Sequence, residues 1–131
     1  MDFLADIDFV ESVWKESLEG ISGDARRFAE ANSRSSFAVS VPTSIRLLAS
    51  AGADDAEVVE RFLKAFPVIS FDENLIARCA AFFRAHDLPL ETAIEGAIAK
   101  CHDLKILTAT PARYDNLPGI AVVNFRDPEE E

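Results

Sequence analysis

The chain has 131 residues, 49% of them hydrophobic, which is enough for one domain with a real core. Its formal charge is −10, from 23 acidic against 13 basic residues, so the surface as a whole repels polyphosphate and nucleic-acid binding would need a local basic patch. No positively charged start followed by an apolar run is present, and no apolar stretch approaches bilayer length, so a cytoplasmic protein without membrane contact is expected.

In chain order, the segment Phe3 to Asp8 reads as a short opening strand. Val10, Val13, Trp14, Leu18 and Ile21 then recur at helical spacing, with Asp8 as the expected cap and an end near Gly20 or Gly23. Arg26, Arg27 and Arg34 come nearest to a basic cluster, but Glu30 interrupts them and a solvated helix face accounts for them more simply. Phe37 to Val41 is apolar and β-compatible, and Pro42 suits the first turn of a helix carrying Ile45, Leu47 and Leu48.

After a break at residues 51–54, Val58, Val59, Phe62, Leu63 and Phe66 mark a helix expected to end at Pro67. Val68 to Ser70 suggests a short strand, and Ser70 with Glu73 has capping-box spacing before an amphipathic helix carrying Leu75, Ile76, Cys79, Phe82 and Phe83. A helix rich in small residues runs from about Glu91 to Cys101. Asp103 follows it where glycine is usual, because Asp tolerates left-handed geometry better than most residues. Lys105 to Thr108 forms a strand, a loop leads to Leu117-Pro118-Gly119, and Ile120 to Val123 is the last apolar run.

Strands separated by helices imply parallel pairing with helices on both faces. The expected fold is therefore a three-layer α/β/α domain over residues 1–126, with a mainly parallel sheet of about four or five strands and an acidic tail at 127–131. In such sheets the site lies beyond the carboxyl ends of the strands, where Asp6, the residues after Thr108 and the start of the helix near Thr92 would meet. Cys79 and Cys101 lack metal-ligand spacing and read as reduced, small core residues. His86 and His102 fall at helix C-terminal ends, where a cation or capping donor suits the dipole. No glycine-rich phosphate loop, Cys/His cluster or nucleophile elbow is present.

The stretch from Glu91 to Val123, with the opening segment at Phe3 to Asp8, resembles the PIN-domain family, most closely the small VapC-type toxins of toxin–antitoxin pairs. The resemblance implies an acidic site holding Mg²⁺ or Mn²⁺, which activates water for RNA cleavage and stabilises charge on the phosphate. It also implies a helix-opening aspartate, a strand-ending threonine, an Asn or Asp two residues later, and an Asp-Phe pair before Pro-Gly. Those positions fall on Thr92, Thr108, Thr110 and Arg113-Tyr114. A glutamate expected on the helix after the second strand falls on Arg46. Asp6 is the one acid clearly in register, so the acidic metal site is degenerate.

Arginines in place of acids oppose a dication, since unit charges about 4 Å apart at an effective dielectric of about 20 interact by on the order of 4 kcal/mol. The first reading is therefore a non-catalytic domain in which Arg46 or Arg113 pairs with Asp6 or Glu95. It would act by protein or RNA binding and need no cofactor. Glu91 and Glu95 form an i,i+4 like-charge pair that something cationic should neutralise.

The alternative is a rearranged Mg²⁺- or Mn²⁺-dependent endoribonuclease with Asp6 and Glu95 catalytic, Asp6, Asp8, Glu91 and Glu95 as metal ligands, and Arg46 or Arg113 gripping phosphate. The resemblance further implies homodimers and an antitoxin-like partner or a catalytic PIN relative. RNA is possible but disfavoured by the net charge. A generic α/β regulatory or binding domain stands as the last alternative.

Overall fold

A computed structural model describes residues 2–128. Strands β1 (Phe3–Ala5), β2 (Phe37–Ala38), β3 (Lys105–Thr108) and β4 (Val122–Asn124) form a sheet in the order β2-β1-β3-β4, all pairings parallel. Parallel neighbours need long crossovers. These are supplied by α1 (Ile7–Glu19), α2 (Asp24–Ala31), α3 (Val41–Ser50), α4 (Ala56–Leu63), α5 (Glu73–Ala85) and α6 (Leu90–His102), with a 3-10 turn at Pro111–Tyr114. The expected three-layer α/β architecture is therefore the one observed. No helix among the described residues is long and apolar enough to cross a membrane.

Side-chain alternation along the strands separates two cores. Phe3, Ala5 and Leu107 pack with Phe9, Val10, Phe28 and Leu47 on one face. Leu4 and Ile106 pack with Leu75, Ile94, Ile98 and Leu117 on the other. Phe37 stacks on both Phe3 and Phe9, with ring centroids 5.4 and 5.5 Å apart, which ties the edge strand β2 to α1. Helix α6 is buried without interruption from Thr92 to Ala99, and that explains its small residues. A Cβ at Gly96 would come within 2.9 Å of the Phe82 and Leu117 side chains, so glycine lets α5 and the 117 loop close on it.

Several local expectations are corrected. The cap of α1 is Asp6, not Asp8: its carboxylate accepts from the backbone N–H groups of Asp8 and Phe9, leaving Asp8 inside the first turn. Gly20 ends that helix in a left-handed conformation at φ 67°. Helix α3 begins at Val41, capped by Ser40, so the second strand is only two residues long. Helix α4 stops at Leu63, and Lys64, Ala65 and Phe66 continue as single turns bonded three residues back.

Val68 makes one parallel bridge to Val39 in place of a strand. Asp72, not Ser70, caps α5 by accepting from the Leu75 N–H. Strand β4 sits one to two residues later than the apolar run suggested. Cys79 is buried but Cys101 is exposed, where its Sγ accepts from the Arg78 guanidinium of α5 at 3.8 Å. The left-handed Asp103 is observed at φ 52°. Of the acidic tail expected at 127–131, residues 129–131 lie outside the described residues.

Candidate functional site

The carboxyl ends of β1 and β3 and the N-terminal end of α6 converge, and the 3-10 turn closes the space beside them. β1 delivers Asp6 directly after its last residue; the Asp6 N–H bonds the Leu107 carbonyl of β3 at 3.1 Å. Register pairs Ala5 with Leu107, which brings Thr108, one residue on, beside the start of α1.

Asp6 is only 1% exposed. Its Oδ1 accepts from the Asp8 N–H at 2.9 Å and the Phe9 N–H at 3.4 Å. Its Oδ2 accepts from Arg113 Nη1 at 3.2 Å and the Tyr114 hydroxyl at 3.0 Å. Arg113 Nη2 also lies 3.5 Å from Asp8 Oδ1. Asp8 Oδ2 accepts from the hydroxyls of Thr110 at 2.7 Å and Thr108 at 3.2 Å. The 3-10 turn thus places one guanidinium across two aspartates, in the fork geometry to which arginine is suited.

Burial pushes the Asp6 carboxyl above its ordinary range, and the Tyr114 hydrogen bond and Arg113 charge offset this only in part. Asp8 goes the other way. Partial burial works to raise it, but the Thr110 hydrogen bond and the Arg113 charge outweigh that and hold it low. Burial likewise drives the Tyr114 phenol upward, reinforced by the negative charge of Asp6, so it remains a hydrogen-bond donor.

Glu95 is the second buried acid, 5% exposed. One of its oxygens accepts from the hydroxyls of Ser40 and Thr43, at the start of α3. The other, Oε2, is buried without a partner. Burial is the main reason its pKa rises from 4.5 to about 7; the Ser40 hydrogen bond opposes this and the nearby Asp6 charge adds to it. A solvated first turn explains Glu91 but not Glu95. The two differ because α6 enters the core at Thr92, directly after Glu91.

Arg46 pairs with Glu91, with both side chains about half exposed, and not with Asp6 or Glu95. Of the two arginines expected to fill the pocket, Arg113 meets Asp6 and Arg46 stays at the rim. A cavity of about 560 Å³ lies between them, lined by Asp6, Thr43, Arg46, Glu91, Thr92, Glu95, Arg113 and Tyr114 among others. Thr110 stands outside it, on the far side of Asp8. Arg26 and Arg27 form no basic patch here. Their guanidinium groups are turned to the carbonyls of Ile21 and Ser22, which tie down the loop before α2.

Ser40, Thr43 and Tyr114 hold the two buried acids, and sequence reasoning gave none of them that role. The Ser-x-x-Thr spacing around Pro42 was a legible cap signal for Ser40. Their bonds to Glu95 and Asp6 span 55, 52 and 108 residues, which no local pattern encodes.

As arranged, the donors do not fit a divalent ion. Both oxygens of Asp6 and both of Asp8 are engaged, a guanidinium lies between them, and Thr92 offers only a hydroxyl. Among the described residues no three His, Cys, Asp or Glu side chains are grouped so as to hold a metal.

The fold and site define an all-parallel three-layer α/β domain with an acid-and-arginine pocket at the carboxyl edge of its sheet. No family model matches the chain, and no curated protein sequence does. Solved structures do. A chain of a toxin–antitoxin complex from Klebsiella pneumoniae is similar with TM-score 0.74 at 23% identity, covering 95% of this chain and 98% of that one. FitAcB from Neisseria gonorrhoeae is similar with TM-score 0.70 at 18% identity, covering 94% and 97%. PAE2754 from Pyrobaculum aerophilum gives 0.59 at 14%, covering 93% and 89%. At these identities the likeness is one of fold, and it extends over nearly the whole chain.

Proposed function

We propose that this chain is a PIN-like domain related to the VapC-type toxins that works by holding a protein partner and not by metal-dependent cleavage of RNA. The observation carrying this reading is the seat taken by Arg113. A guanidinium and a phenol already hold the outer oxygen of Asp6, where a metal-dependent nuclease would need a free carboxylate. Thr92 and Arg46, at the remaining acid positions of the resemblance, add no negative charge.

The fold likeness to a chain of a toxin–antitoxin complex supports an antitoxin-like protein as the partner. A catalytic relative and a second copy of this chain are the other candidates of the same class. The reading places the protein in the cytoplasm with no required cofactor.

Titration calorimetry with Mn²⁺ tests the site: the reading expects no tight binding, and tight binding abolished by Asp6→Ala overturns it. Light scattering of the purified chain tests the homodimer, which a clean monomer would remove.

A second reading is favoured by one observation, the unpartnered Glu95 oxygen in a cavity that also holds Asp6 and two arginines. It is a rearranged endoribonuclease in which Asp6, Asp8, Glu91 and Glu95 would hold Mg²⁺ or Mn²⁺ and Arg46 or Arg113 would grip phosphate. An RNA-cleavage assay with either metal, run beside Asp6→Asn, separates the two; cleavage lost in that control establishes the second and sinks the first.

A further inference from the structure

The ion pairs leave the cavity electrostatically unfinished. Its walls carry three carboxyl groups, Asp6, Glu91 and Glu95, against two guanidiniums, Arg46 and Arg113. Arg113 is taken by Asp6 and Asp8, and Arg46 by Glu91. Glu95 has no cationic partner, and one of its oxygens is buried with no hydrogen bond, a costly condition for a charged group. Glu91 and Glu95 lie one turn apart on α6, with Cβ atoms about 5–6 Å from each other as in any i,i+4 pair.

We propose that this cavity binds a linear alkyl diamine or polyamine, with one ammonium at Glu95 and the next at Glu91 in the place of Arg46. A three- or four-carbon spacer is about as long as that Cβ separation. Its methylenes have apolar walls to lie against in Ile7, Pro89 and Leu90, in the way long amines bury their stems and keep the charged head on polar groups.

The volume of about 560 Å³ is in the range of small-molecule sites, about 300–1,000 Å³, and far exceeds what a bare ion fills. An ammonium brings three donors and no acceptor, the complement of an unpartnered carboxylate oxygen. A phosphate would meet three carboxylates. Displacing Arg46 costs little, because its pair with Glu91 is exposed on both sides and water and salt screen such surface pairs strongly.

Asp6 from the end of β1, Tyr114 and Arg113 from the 3-10 turn, and Arg46 from α3 face the same space. The inference is independent of the proposed function, since it uses Glu91 and Glu95 and not the Asp6–Arg113 pair.

Titration calorimetry of the full chain with putrescine and spermidine at pH 8, in about 0.15 M salt to screen diffuse surface attraction, tests it. Saturable binding at one site is expected, about tenfold weaker for butylammonium and for Glu95→Gln. Glu91→Gln should abolish the preference for the diamine over butylammonium, a readout that survives even if Glu95→Gln fails to fold. No saturable binding, equal affinity in both variants, or equal affinity for the monoamine overturns the proposal. Displacement of spermidine by equimolar Mn²⁺ overturns it as well and assigns the cavity to metal ions.

Discussion

Glu95→Gln should make the protein more stable, and only above a definite pH. In the folded chain burial raises this carboxyl from 4.5 to about 7, while in the unfolded chain it ionises near 4.5. Between those values the folded state holds a proton that the unfolded state has released, so its contribution to stability falls as pH rises through the window and is flat above it. The gap corresponds to about 3 kcal/mol at full expression.

Glutamine keeps an oxygen for the Ser40 and Thr43 hydroxyls, and its amide stands where Oε2 was. That buried amide lacks an acceptor much as the protonated acid does, so the two cost about the same, ~1–3 kcal/mol. The difference between variant and wild type should therefore be near zero at pH 4.5 and approach 3 kcal/mol in the variant's favour at pH 8, or roughly 10 °C in Tm for a domain of this size. Urea unfolding at a series of pH values measures it, each pair compared at one pH so that shared titrations cancel. A difference that does not change with pH, or a variant less stable at pH 8, would refute the reasoning.

Three further outcomes follow from the same contacts. Arg113→Gln leaves the Asp6 Oδ2 with the Tyr114 hydroxyl alone. Breaking a buried pair costs about 3–5 kcal/mol, and with the Arg113 side chain 36% exposed the expected loss is discounted to about 1–3 kcal/mol. Because the Asp8 carboxyl is held low by Thr110 and Arg113, its stabilisation is present above pH 3.8 and lost as pH falls through its folded value. The Arg113→Gln penalty should therefore shrink in acid; a penalty equal at pH 7 and pH 2.5 contradicts the ion-pair account. Ser40→Ala removes both the cap of α3 and a donor to Glu95, and should cost about 1–3 kcal/mol in thermal unfolding. Asp103→Gly relieves a left-handed residue at φ 52° and should add about 0.5–1 kcal/mol, which equilibrium unfolding can read directly.

The layers were legible because they follow from spacing within single elements. Helical periodicity at Val10, Val13 and Trp14, the small residues of α6, and strands too far apart for hairpins require parallel crossovers and helices on both faces. Boundaries were less legible, because one residue decides a cap and neighbours compete for it. Asp6 outcompetes Asp8 at α1, and Asp72 outcompetes Ser70 at α5, through the geometry of the incoming chain.

The resemblance brought Asp6, Arg46, Thr92 and Arg113 to notice as positions. It could not pair them. Whether an arginine reaches a given acid depends on which turn carries it and how deep the acid sits, so Arg113 lies across Asp6 and Asp8 while Arg46 remains at the rim with Glu91.

By itself the sequence determined an α/β domain, since the spacing of apolar residues is a property of the chain alone, and a resemblance pointed to Asp6, Arg46, Thr92 and Arg113 as positions. Only the tertiary structure decided that Glu95 is buried and half-unpartnered while Glu91, one turn away, is exposed. That difference arises because burial and electrostatics depend on what distant segments lay over a residue, here Ser40 and Thr43 from α3 on one side and the 3-10 turn on the other.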